Sequence, residues 1–141
     1  MFRKILNAND GSENAFKALE IACDLAGKYA GELHMILVEE VSILPDTDMI
    51  GEIEQIKARE DKLVRSEIKR AQAIAARLNV PIKPHVFAGH VIRMIVDFAN
   101  DNAFDLVVIG ATGNAALYER MLGTRADRIA HLVRCPVLIV R

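Results

Sequence analysis

The sequence of 141 residues contains no tryptophan, only two cysteines and no long apolar run. A transmembrane helix needs about 18 or more consecutive apolar residues, so we expect no membrane partner. Cys23 and Cys135 lie far apart, without CxxC or Cys/His spacing, which argues against a zinc site and against a disulfide framework. We expect both to be small buried hydrophobic residues of a reducing compartment.

An excess of charge of one sign is also absent. The chain has 18 Lys and Arg against 19 Asp and Glu, a formal net charge of -1. This balance gives no electrostatic reason to expect nucleic acid or an anionic membrane as the main partner. We expect no secretory signal, because the apolar pair Ile5-Leu6 is soon interrupted by Asn7 and Asp10. The expected location is the cytoplasm.

Hydrophobic residues make up 52% of the chain, and its length predicts one domain over residues 1–141. Five short apolar runs are expected to be strands, at Ile5–Ala8, Glu32–Val38, Pro81–Phe87, Asp105–Ile109 and Pro136–Val140. Between them apolar residues recur every three or four positions, as in amphipathic helices, within 15–26, 56–78, 92–99 and 122–133. This alternation predicts an α/β fold with a parallel sheet and helices on both faces.

The connection after Val38 is charged and long, running from Glu39 to Asp48 before helical spacing resumes near Gly51. It is either a solvated surface loop or a mobile flap beside a ligand crevice, since open α/β sheets bind ligands at the carboxyl ends of their strands. The sequence leaves both interpretations open.

The strongest functional pattern lies near the C-terminus, where an apolar strand ends in Gly110. Gly113 follows after two residues, and Gly123-Thr124 after nine more, before a predicted helix. Glycines let consecutive backbone N–H groups turn toward an anion, and the start of a helix adds further unpaired amides. The pattern therefore predicts a phosphate-binding loop, in which Thr124 offers a hydroxyl.

At these residues the chain resembles the universal stress protein family. The glycines match the G-2x-G-9x-G-(S/T) signature of its ATP-binding members. Further similarities cover nearly the whole chain, at Ile5–Glu13 (family ILVPVDGSE), Val86–Gly89 (V-x-x-G), Asp105–Gly110 (DLIVIG) and Cys135–Arg141 (CPVLVVR). The resemblance implies a five-stranded sheet of order 3-2-1-4-5, of the adenine nucleotide alpha hydrolase-like type.

The resemblance also implies a function and a site. ATP would be the ligand, with a divalent cation such as Mg²⁺ on its phosphates, in a homodimer formed through the C-terminal strand. Asp10 and Val38 correspond to residues at the adenine end, and Ala8 stands where the family has a proline beside them. The residues implied for the ribose and phosphates are Gly110, Gly113, Asn114, Gly123 and Thr124.

Two departures from the family pattern affect this site. Asn7 places an amide inside the first strand, and we expect it to have a hydrogen-bonding role or to lie near water. After Thr124 the family has a small apolar residue and a second hydroxyl, whereas this chain has Arg125 and Ala126. Arg125 either replaces the lost hydroxyl at the γ-phosphate or points into solvent.

Other chemistry has less support. GxxxxGK[ST] is absent, and no GxGxxG follows the first strand, which argues against a P-loop NTPase and a dinucleotide oxidoreductase. We expect His34 and His85 to be structural, while His90 lies near the crevice edge. No side chain stands out as a general base, so a nucleotide-binding regulatory protein is favoured. The alternatives are a slow ATPase or other ATP-using enzyme, and a dimeric scaffold that has lost the nucleotide.

Overall fold

The computed structural model describes the backbone of residues 1–40, 50–111 and 124–141, and the side chains of 1–40, 61–111 and 125–141. The strands are β1 (Lys4–Ala8), β2 (Glu32–Glu40), β3 (Ile82–Gly89), β4 (Leu106–Gly110) and β5 (Val137–Val140). The helices are α1 (Glu13–Tyr29), α2 (Ile50–Arg77), α3 (Val91–Asp101) and α4 (Thr124–Leu132).

The five strands form one parallel sheet of order β3-β2-β1-β4-β5, which confirms the predicted topology. β1 is central, and its last residue, Ala8, lies opposite Ile36 of β2 and Ile109 of β4. The chain leaves β1 toward β2 and later returns to β4 on its other side. The carboxyl ends of β1 and β4 therefore form the switch point where sheets of this kind bind ligands.

Side chains point alternately to the two faces of the sheet along each strand, so the core consists of two layers, one on each face. Ile5 and Leu6 are both fully buried, but they belong to different clusters on opposite faces of the sheet. One cluster includes α1 and Ala71 of α2, and the other includes α3 and Ile129 of α4. Side chains of a strand point to alternate faces, so a central strand with helices on both sides is apolar at nearly every position.

α1 begins at Glu13, just before the helical periodicity of residues 15–26. Ser12 is its N-cap, and the Ser12 hydroxyl accepts a hydrogen bond of 3.2 Å from the Ala15 N–H. Glu13 stands in the first turn, where a carboxylate interacts favourably with the helix dipole. This cap places the start of α1 directly after the carboxyl end of β1.

β2 is longer than expected. Glu39 and Glu40 continue the strand and lie opposite Ala88 and Gly89 of β3, so the prediction that a loop starts at Glu39 is wrong. The parallel ladder to β3 supplies partners for the backbone of both glutamates. The rest of the expected loop or flap, residues 41–48, lies outside the described residues. No helix in the described part of the chain is long and apolar enough to span a bilayer.

Candidate functional site

The carboxyl ends of the strands are joined by backbone hydrogen bonds just beyond the sheet ladder. The Asn9 N–H donates to the Ile36 carbonyl oxygen of β2 over 3.0 Å. On the other side, the Ala111 N–H donates to the Val140 carbonyl oxygen of β5 over 2.7 Å. The segments leaving β1 and β4 are therefore anchored at the edge of the sheet where the ligand residues are predicted.

In the turn between β1 and α1, side-chain oxygens accept hydrogen bonds from backbone N–H groups, as backbone carbonyl oxygens do in other turns. Asn9 Oδ1 accepts a hydrogen bond of 2.8 Å from the Gly11 N–H, and Asp10 Oδ1 accepts one of 3.0 Å from the Ser12 N–H. Gly11 has a φ of 82°, a conformation that side chains disfavour. Asp10 is exposed, so its second carboxylate oxygen can face a ligand.

Asn7 is completely buried, and its amide is satisfied by protein partners. Asn7 Nδ2 donates to the Val108 carbonyl oxygen of β4 over 3.1 Å, and its Oδ1 accepts from Asn9 Nδ2 over 3.2 Å. The expected hydrogen-bonding role is thus confirmed. Together the two asparagines connect β4 through β1 to the turn that carries Asp10.

Gly110 ends β4 and is half-buried. A Cβ atom at this position would lie 2.9 Å from the Asn14 carbonyl carbon and 3.0 Å from the Ala15 nitrogen of α1. Real Cβ atoms do not approach backbone so closely, so a side chain at residue 110 would push α1 away from β4. The structure therefore gives Gly110 a packing role, in addition to the phosphate role that its spacing predicts.

The structure brings several of the predicted site residues to one face of this edge. Ala8 is buried in the cluster formed with α3 and α4, and Val38 packs against the same cluster. α4 begins at Thr124. Gly113, Asn114 and Gly123 lie outside the described residues.

Arg125 is not simply solvated. Its guanidinium lies 3.1 Å from Glu40 Oε1 at the end of β2, and both side chains are half or more exposed. Glu40 was not predicted as a site residue, because the charged sequence after Val38 indicates a loop there. The available signal was the alternation of Ile36, Val38 and Glu40, which puts Glu40 on the face where α4 packs.

A second missed residue is Glu67 of α2. Its carboxyl group lies directly against Gly11, so a side chain at residue 11 would collide with it. Burial, together with the negative charge of Asp10, raises the pKa of Glu67 above the ordinary value for a glutamate. Only the packing of α2 onto α1 brings this carboxyl group to the turn after β1.

The histidines have identifiable structural surroundings. His90 is the N-cap of α3, and its Nδ1 accepts from the Arg93 N–H over 3.4 Å. His34 Nδ1 lies 2.9 Å from His85 Nε2, and His34 Nε2 lies 3.2 Å from the Glu32 carboxylate. A carboxylate only accepts, so His34 Nε2 donates to Glu32, and in the neutral pair His85 Nε2 donates to His34 Nδ1.

The histidine pair predicts a loss of stability in mild acid. Burial lowers the pKa of His85, and His34, Lys83 and Lys4 lower it further. The folded chain therefore binds a proton at His85 less readily than the unfolded chain does. This makes the free energy of unfolding fall as the pH drops below about 6.5, the ordinary histidine pKa. Urea unfolding at pH 7.5 and 5.5 should show the decrease.

A glutamine at residue 85 retains a donor toward His34 but does not titrate. The His85→Gln protein should therefore lose less stability between the two pH values than the unmodified protein. His131→Gln, which removes an exposed histidine of α4, is the matched control and should keep the full decrease. Glu32 and Glu67 are present in all three proteins, so their own titration cancels. If the free energy of unfolding decreases equally in the His85→Gln and unmodified proteins, His85 is not the source of the pH dependence.

The fold and the position of the site define the class of protein. A parallel sheet of order 3-2-1-4-5, with Asn9, Asp10 and Gly11 directly after β1 and Gly110 at the end of β4, is a doubly wound α/β domain of the adenine nucleotide alpha hydrolase-like type. The sequence also matches the Universal stress protein family over residues 1–141. The chain belongs to the universal stress protein family.

Individual relatives agree with this assignment. Universal stress protein YxiE of Bacillus subtilis (strain 168) is 31% identical over 149 aligned residues, which cover all of both chains. The structure of universal stress protein UspA from Lactobacillus plantarum has a TM-score of 0.89 at 22% identity, over 99% of this chain and 98% of that one.

Two similar structures contain nucleotides. A universal stress protein in complex with cAMP has a TM-score of 0.76 at 19% identity, over 99% of this chain and 96% of that chain. The universal stress protein from Archaeoglobus fulgidus in complex with dAMP has a TM-score of 0.68 at 20% identity, over 99% and 98%.

Proposed function

We propose that this protein is an ATP-binding regulatory protein of the stress response. The observation that carries the proposal is the convergence of the ends of β1, β2 and β4 at the switch point of the sheet, with the start of α4 on the same side. The complexes of related proteins with cAMP and dAMP support an adenine nucleotide as the ligand class.

In this proposal the base lies at the ends of β1 and β2. Ala8 and Val38 supply an apolar surface, and the second carboxylate oxygen of the exposed Asp10 accepts a hydrogen bond from the ligand. The phosphates lie toward Gly110, Gly113, Asn114, Gly123 and Thr124, where backbone N–H groups and the dipole of α4 favour negative charge. Mg²⁺ would enter with the phosphates and screen their charge.

Binding rather than turnover is the function we favour. Among the described residues, Glu67 is the carboxyl group near the site with a raised pKa, but it lies on the side of the sheet covered by α1 and α2. Ala8, Val38 and Arg125 lie toward α3 and α4. A base on the opposite side of the sheet from the phosphate end is poorly placed to activate water.

Nucleotide extraction tests the proposal directly. Protein purified without added nucleotide is denatured, and the released small molecules are separated and identified by mass spectrometry. We expect ATP in the extract, and calorimetric titration of the emptied, refolded protein should show one site for it. The absence of adenine nucleotide from the extract, together with no heat of binding, would contradict the proposal. Steady release of phosphate with Mg²⁺ would instead support the ATPase alternative.

We also propose that the protein is a homodimer formed through β5. β5 is an edge strand of the sheet, and its exposed apolar residue, Leu138, is 37% accessible. The opposite edge strand, β3, carries Lys83 and Pro84, which discourage pairing with another strand. β5 has neither residue type, so it is the edge that a second subunit would cover.

A further inference from the structure

The ion pair between Arg125 and Glu40 joins two elements that the sheet keeps apart. Glu40 is the last residue of β2, and Arg125 stands in the first turn of α4. A nitrogen of the Arg125 guanidinium donates to Glu40 Oε1 over 3.1 Å. The two residues are 85 positions apart in the sequence, so the contact exists only because of the fold.

The contact crosses the region proposed for the nucleotide. β1 lies between β2 and β4 in the sheet, and Ala8 at its end belongs to the cluster that also contains Ala126, the residue after Arg125. The Arg125 side chain starts at the proposed phosphate end and reaches to Glu40, two residues beyond Val38 at the proposed base end. Arg125 therefore spans the two ends of the candidate site.

This ion pair is weak enough to be exchanged. The Arg125 side chain is 50% exposed and that of Glu40 67%, and only one nitrogen contacts one oxygen. Exposed pairs of this kind contribute little to stability because water screens them. A guanidinium binds a phosphate group through two parallel charge-assisted hydrogen bonds, and a terminal phosphate carries more charge than a carboxylate.

We propose that Arg125 and Glu40 form an exchangeable latch that sets the preference of the site for nucleoside triphosphates. Without ligand, Arg125 pairs with Glu40. When a triphosphate binds, Arg125 leaves Glu40 and pairs with the terminal phosphate. A monophosphate lacks the terminal phosphate that would replace Glu40 as the partner of Arg125, so the latch stays closed and has no effect on its affinity. This inference rests on the proposed nucleotide function and concerns the same site.

The latch predicts a specific pattern of dissociation constants for ATP and AMP. Glu40→Gln frees Arg125, so ATP should bind about two- to fivefold more tightly, which is the range that an exposed ion pair is worth. AMP affinity should stay unchanged. Arg125→Ala should weaken ATP about tenfold through the loss of a charge-assisted contact, again without effect on AMP.

The double variant distinguishes exchange from simple repulsion between Glu40 and the phosphates. If Glu40 acts through Arg125, Glu40→Gln has no effect on ATP once Arg125 is alanine. If Glu40 only repels the ligand, the gain persists in the double variant. Calorimetric titration of the unmodified protein, the two single variants and the double variant with ATP gives a double-mutant cycle. A gain in ATP affinity from Glu40→Gln that is equal with arginine and with alanine at residue 125 would overturn the latch.

Glu39→Gln is the matched control, because it removes the same charge one residue earlier. Glu39 is half-buried, and strand alternation points it to the opposite face of the sheet from Glu40. ATP affinity of the Glu39→Gln protein should equal that of the unmodified protein. Equal gains for ATP and AMP in Glu40→Gln would overturn the exchange. If the unmodified protein binds nucleotide but the effects of the two substitutions on ATP affinity are additive, the latch alone is overturned. If the unmodified protein binds neither nucleotide, the proposed function is overturned as well.

Discussion

Replacing Gly113 with valine is expected to abolish ATP binding while the chain still folds. Gly113 is the middle glycine of the pattern that begins at Gly110, and the proposal assigns its backbone to the phosphates. A valine side chain would occupy the path of the phosphate chain and would disfavour the backbone conformations that present N–H groups to an anion. Hydrogen bonds to charged groups contribute about 1.5–3 kcal/mol each, so losing two of them lowers the affinity about 100-fold or more.

Gly113 is a better choice for this test than Gly110. A side chain at residue 110 would collide with the backbone of α1, so the loss of binding in such a variant would follow from damage to the fold. Calorimetric titration with ATP should be accompanied by a thermal melt to verify folding.

The matched control is Gly27→Val, the same substitution at an exposed position of α1. A Cβ atom at residue 27 would lie 3.8 Å from the Val80 side chain, an ordinary contact. This variant should bind ATP like the unmodified protein. A folded Gly113→Val protein with unchanged ATP affinity would show that the phosphates do not lie on this segment.

Replacing Ile139 with proline is expected to convert the proposed dimer into monomers. The carbonyl oxygens of Pro136 and Val140 accept hydrogen bonds from Val107 and Ala111, so these residues turn their polar groups toward β4. Successive peptide groups of a strand point in opposite directions, and Ile139 therefore turns its N–H toward the free edge. Proline at residue 139 removes that donor without removing a hydrogen bond to β4.

By two-fold symmetry each substitution is present twice in the dimer. Losing two main-chain hydrogen bonds, at about 0.5–1.5 kcal/mol each, raises the dissociation constant of the dimer about 10- to 100-fold. The proline ring adds a steric barrier to the approach of the second strand. Sedimentation velocity over a micromolar concentration range measures the shift.

Ile139→Ala is the matched control for the lost side chain. The Ile139 side chain packs against the cluster that α3 and α4 cover, so both substitutions lower the stability of the subunit. Only proline removes the N–H at the free edge, and the alanine protein should therefore remain a dimer. A monomeric unmodified protein, or a proline variant that dimerises as tightly as the alanine variant, would place this strand outside any interface.

The pattern of apolar residues was enough to predict the sheet and its helices. Ile5 and Leu6 are both buried because helices cover both faces of a parallel sheet, and that burial is visible as a continuous apolar run. The end of β2 was predicted wrongly for a physical reason. Glu39 and Glu40 are polar, but the ladder to β3 holds them in the strand, and pairing across a sheet is not encoded in local hydropathy.

Part of the candidate site also followed from the sequence. Asp10 and Gly110 each follow an apolar run, and the carboxyl ends of parallel strands meet at one edge, so their proximity could be predicted. The role of Gly110 in letting α1 approach β4 could not, because spacing along the chain does not reveal which backbone lies opposite a glycine.

The sequence by itself determined the alternation of strands and helices, because hydropathy periodicity is a local property of the chain. Its motifs between Ile5 and Arg141 identified the family, and that resemblance implied the strand order and the edge of the sheet where a ligand is expected. Tertiary structure alone decided the partners of the polar side chains. Asn7 is bonded to Val108 and Arg125 to Glu40, residues 101 and 85 positions away. Such pairs depend on distances between elements, which are set by how the helices pack on the sheet.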